Sequence, residues 1–111
     1  MADIGNARGV IGFDRKLTNE ELARALRLSI ADEYEAIQVY SQIAEATEDE
    51  GIKVVIMDIV REEQRHASQF WELLAEVDPS EHEAWELAAK ENKELMEEAR
   101  SKKAGGRSRK K

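Results

Sequence analysis

Between Thr18 and Thr47 the chain contains neither glycine nor proline, and its apolar residues recur at helical spacing. Leu22, Leu26, Ile30, Ile37, Tyr40 and Ala44 fall at steps of three, four or seven, which puts them on one stripe of a helix. Thr18 with Glu21 three residues on forms a capping box that starts it. The helix is about 28 residues long, or ~42 Å. Glu48-Asp49-Glu50-Gly51 then makes a short polar break suited to an antiparallel hairpin. A second helix runs from about Gly51 to Val77, with Ile52, Val55, Ile56, Ile59, Phe70, Leu73 and Val77 as its apolar stripe. Asp78-Pro79-Ser80-Glu81 ends it and opens a third, with Asp78 as N-cap and Pro79 at the first helical position. That third helix extends to about Ala99 on a thinner apolar set, Ala84, Leu87, Ala88, Leu95 and Met96. No segment alternates as a strand would, so the predicted fold class is all-α.

This pattern divides the chain into a flexible N-terminal arm over 1–16, a helical hairpin domain over 17–99 and a basic disordered tail or linker over 100–111. The arm holds three of the six glycines and has no sustained period. Two long helices joined by a tight turn cannot close a core alone, because each leaves part of its stripe in water. The expected basic unit is therefore a homo-oligomeric one, a four-helix bundle made by two hairpins.

Polar residues interrupt both stripes in phase with them. In the first helix the steps run from Ile30 to Glu33, Ile37 and Tyr40, so Glu33 points at the core. In the second they run from Ile59 to Glu63, His66 and Phe70, which sets Glu63 and His66 on adjacent turns of the buried face. Burying ionised carboxylates costs several kcal/mol unless an opposite charge compensates. A pair of divalent metal ions supplies that charge, and a Glu with a Glu-x-x-His is half the ligand set of a ferritin-like carboxylate bundle. A complete set needs two of each, and the chain has no internal repeat. The other half must come from a second copy.

Composition narrows the chemistry. The chain has no cysteine, which removes disulfides and thiolate sites, and its only histidines are His66 and His82. Oxygen-rich ligation with one nitrogen per metal suits iron or manganese better than a structural zinc. His82, beside Glu81 and Glu83, reads as a surface residue. The net charge of −7 disfavours nucleic acid as a partner of the body, although Ser101–Lys111 is basic. No run approaches ~18 apolar residues, so no membrane span is expected, and cytoplasmic residence is the default.

Ser29-Ile-Ala-Asp-Glu-Tyr-Glu-Ala-Ile-Gln-Val-Tyr40 and Glu62-Glu-Gln-Arg-His66 together resemble the encapsulated ferritins, short ferritin-like proteins of encapsulin nanocompartments. The resemblance extends over roughly Leu17–Ala99. It implies two long antiparallel helices and a smaller third, a ring of dimers forming a decamer, an encapsulin shell as partner, and residence inside that shell. It also implies ferroxidase activity, oxidation of Fe(II) to Fe(III) at a di-iron centre shared across a dimer interface. Glu33, Glu63 and His66 match that centre as metal ligands. Tyr40 matches a tyrosine near the metals and reads equally well as a core aromatic. Asp32 and Glu35 match an acidic metal-entry site; by position alone they flank the stripe as solvated residues, as does Glu62. The short apolar peptide by which such proteins dock into the shell is not evident here.

Two other functions fit the same residues less fully. One is a rubrerythrin-like peroxide-reducing di-metal protein or a manganese protein, weakened by the lack of a cysteine-ligated iron partner in this chain. The other is a helical oligomerisation module whose buried Glu and His only fix register.

Overall fold

A computed structural model describes residues 15–109, with side chains as far as residue 105. Three helices follow in order: α1 (Asn19–Ala46), α2 (Glu50–Val77) and α3 (Pro79–Arg109). No strand occurs among the described residues. Most of the expected N-terminal arm, to residue 14, lies outside them. The chain divides into two compact units, the α1–α2 hairpin up to Asp78 and the α3 segment after it.

The capping box is formed as its residue types require. The Glu21 backbone N–H donates to Thr18 Oγ1 at 3.2 Å, and the Thr18 N–H donates to Glu21 Oε1 at 2.9 Å. Arg15 reaches forward to the same carboxylate with both terminal nitrogens, at 2.6 and 2.9 Å. This forked donor holds the Glu21 carboxyl down to about 2, with the backbone N–H of Thr18 adding to the effect. At the hairpin turn, Thr47 closes α1 by donating its N–H to the Ile43 carbonyl. Asp49 caps α2, accepting from Gly51 N at 2.9 Å and Ile52 N at 3.2 Å. A Cβ at Gly51 would come within 3.2 Å of that Asp49 oxygen, so glycine leaves the cap its room.

The hairpin core lies toward its open end, where Ala23, Leu26 and Ile30 of α1 meet Leu74 of α2, with Leu22, Phe70 and Val77 packed around them. Arg27 Nη2 sits 2.9 Å from Asp78 Oδ2 at that end, tying the start of α1 to the close of α2. Higher up, Trp71 Nε1 donates to the Tyr34 hydroxyl at 3.1 Å, a second link between the two helices.

One expectation about α2 does not hold. Its buried residues are Val60, Ala67 and Leu74, spaced by seven. Of the predicted stripe, Ile52, Val55 and Leu73 are exposed at 49%, 60% and 50%. The apolar face of α2 is wider than a single stripe. A hairpin partner covers only the strip nearest it, leaving the neighbouring strip, which carries Glu63 and His66, open.

The third helix also differs from expectation. It continues to Arg109, ten residues past Ala99, so the residues read as a disordered tail begin inside it. Arg100, Lys102 and Lys103 are good helix formers, so the basic composition of this stretch does not stop the helix. Lys102 Nζ also pairs with Glu98 Oε1 at 3.0 Å, one turn back. On the same helix His82 Nε2 lies 2.6 Å from Glu86 Oε1, and its ring stacks near that of Trp85. No described helix is long and apolar enough to cross a membrane.

Candidate metal centre

Each candidate ligand is placed by the helix that carries it. Glu33 lies one turn beyond the packed Ile30, and Glu63 and His66 flank the inward-facing strip of Val60 and Ala67 on α2. Helical register thus sets both sides of the cluster on well-packed backbone, while the side chains themselves stay half-buried. One ligand atom from each of Glu33, Glu63 and His66 lies within 4.8 Å of the other two. It is the only such grouping of acidic, histidine or cysteine residues among the described residues.

The cluster is short of internal partners. Glu33 Oε2 is buried and has no hydrogen-bond partner, the only buried side-chain polar atom so placed among the described residues. His66 Nδ1 and Glu63 Oε1 are 3.8 Å apart, too far for a hydrogen bond. Two carboxylates and an imidazole held near one another without satisfying one another are donors arranged around an open position. This set fits a divalent cation of the iron or manganese type: hard oxygens, one borderline nitrogen and no sulfur.

An open groove of about 460 Å³ adjoins the cluster, lined by Glu33, His66, Gln69, Phe70 and Leu73. Gln69 was not legible as a site residue, because a glutamine three positions past a histidine on a charged helix carries no motif. Tyr40, Asp32 and Glu35 are half-buried and Glu62 is exposed. None of Asp32, Glu35 and Glu62 joins the cluster of Glu33, Glu63 and His66.

An all-helical hairpin with a Glu on one helix and Glu-x-x-His on the next has the helix pairing and the residue types of the ferritin-like class. More narrowly, the chain belongs to the EncFtn-like family, whose sequence profile matches residues 14–92. It is similar to the "Encapsulin nanocompartment cargo protein EncC" of Myxococcus xanthus, at 43% identity over 67 residues, 60% of this chain and 52% of that protein. It is also similar to the "Ferritin-like-encapsulin shell fusion protein" of Pyrococcus furiosus, at 38% identity over 86 residues, 78% of this chain and 25% of that protein. The chain therefore spans about half the length of one relative and a quarter of the other. The crystal structure of the encapsulated ferritin domain from Pyrococcus furiosus matches with a TM-score of 0.72 at 38% identity, covering 75% of this chain and 85% of that one.

Proposed function

We propose that this chain is a ferroxidase subunit that oxidises Fe(II) to Fe(III) at a di-iron site built from two copies, each giving Glu33, Glu63 and His66. The observation that carries the reading is the buried Glu33 Oε2 without a partner, beside a second carboxylate and an imidazole. A buried, unpaired carboxylate oxygen costs free energy that a bound cation offsets. One hairpin offers three ligand groups, half of the four carboxylates and two imidazoles of a di-metal bundle site. The strip of α2 next to the cluster is apolar and open, as a surface covered by a second hairpin would be.

In this reading Glu33 and Glu63 hold Fe(II), the substrate, and neutralise the charge that grows on oxidation. His66 supplies the nitrogen donor. Two ions give up one electron each to dioxygen or peroxide, and the flexible carboxylates adjust as the product ions leave. Tyr40 lies two turns beyond Glu33 on α1 and is assigned to the surroundings of the site, with Asp32 and Glu35 as entry residues for the cation. A bundle of four helices encloses too little space for mineral, so the product is passed to an enclosing shell. The relatives' names, a cargo protein and a shell fusion, favour an encapsulin nanocompartment as that container.

Aerobic Fe(II) oxidation by the wild type and by Glu33→Ala, Glu63→Ala and His66→Ala tests the proposal. Each substitution is expected to bring the rate down to that of iron in buffer. A wild type no faster than buffer overturns the reading.

A further inference from the structure

The groove beside the cluster holds one polar side chain that the proposed reaction does not use. Among its described walls, Phe70 and Leu73 have no hydrogen-bonding group, so apart from the candidate ligands only Gln69 can donate or accept. Gln69 follows His66 by three residues and therefore occupies the same side of α2, one turn on. Long side chains on a helix lean toward its N-terminus, over the turn before their own Cα. For Gln69 that turn is the one carrying His66. In the same groove stands Glu33, whose Oε2 is buried and lacks a donor. An amide with two N–H groups and a carboxylate oxygen in need of one thus border a single open space.

We infer that Gln69 is a positioning residue for Glu33: once a cation draws on one oxygen of that carboxylate, the Gln69 amide turns across the shared groove to donate to the other. This rests on the metal reading above. A carboxylate that gives one oxygen to a cation and the other to an amide is held at both ends, which offsets the rotamer freedom it loses on binding. A neutral donor suits the task, because a Lys or Arg at this place would compete with the cation for the carboxylate. Gln69 is itself exposed, so replacing it leaves the hairpin core untouched.

Co(II) is a suitable probe, since its visible absorption reports the geometry of carboxylate and imidazole ligands without any turnover. The full chain is titrated with Co(II) as wild type, Gln69→Leu, Gln69→Ala and Glu33→Ala, with far-UV circular dichroism confirming equal helix content. Both Gln69 variants are expected to bind Co(II) about tenfold more weakly with an altered band shape, the usual size of a loss of ligand support. In Fe(II) oxidation they raise the half-saturating iron concentration more than they lower the maximal rate. If Glu33→Ala abolishes Co(II) binding while both Gln69 variants match the wild type in affinity and spectrum, the role of Gln69 is overturned and the metal site stands. A wild type that binds no Co(II) overturns both.

Discussion

Replacing Glu33 with leucine separates the cost of the site from its use. Leucine is close in size to glutamate and suits the stripe between Ile30 and Ile37, so the change mainly removes a carboxylate. An unsatisfied buried polar group costs about 1–3 kcal/mol, more when charged. Only Oε2 of Glu33 is in that condition, and the residue as a whole is half-buried. The lower part of that range, about 1–2 kcal/mol, is therefore the gain expected for the metal-free variant. For a domain of this size each kcal/mol moves the melting temperature by about 4–8 °C, so Glu33→Leu should melt at least about 4 °C above the wild type in chelator. Metal reverses the order. A cation at a hundred times its Kd adds about 2.7 kcal/mol to the wild type and nothing to a variant that cannot hold it. Thermal melts by circular dichroism, at one chain concentration, with EDTA and with Co(II), read both halves. A metal-free Glu33→Leu that melts at or below the wild type refutes the claim that the orphaned oxygen costs stability.

Two further outcomes follow from the hairpin itself. Leu74 is fully buried at the centre of the core, and Leu74→Ala should cost about 2–5 kcal/mol in chemical denaturation; a loss under 1 kcal/mol, where cores usually show several, would mean the core is elsewhere. Glu21 is held at about 2 by Arg15, below its ordinary 4.5. A depressed carboxyl contributes stability that is complete above the ordinary value and disappears as pH falls toward about 2. Acid titration of the wild type should therefore lose stability across that window, and Glu21→Gln should flatten the loss there.

Much of the local structure was written in short-range chemistry. Thr18 and Glu21 fix where α1 starts, and the polar run before Gly51 fixes the turn, because each rule involves neighbours a few residues apart. The three candidate ligands were legible because they break two apolar periods in phase. The packing of α2 was not, since Val60, Ala67 and Leu74 sit only one position on from the predicted stripe and are equally apolar. Which strip faces α1 depends on how the two helices cross, a property of the pair. The bond from Trp71 to Tyr34 and the place of Gln69 were hidden for the same reason. The end of α3 is not legible in the same way, because a basic, glycine-containing stretch after Ala99 reads as a tail although its lysines and arginine are good helix formers.

The uneven core has a consequence for which ions the site can accept. On one side of Glu33 the hairpin is held by Leu26, Ile30 and Leu74. On the other its buried side chains are small, Ala44 and Val60, and the apolar residues nearest the turn, Ile43, Ile52 and Val55, are exposed. Bulky apolar packing thus lies on one side of the cluster, while at the cluster itself the helices are tied by the Trp71–Tyr34 bond. The groove that one hairpin presents there is open, so by itself it has no closed bore with which to measure an ionic radius. On the proposed metal reading, discrimination among divalent cations has to come from the hardness of the donors and from which ions are available around them.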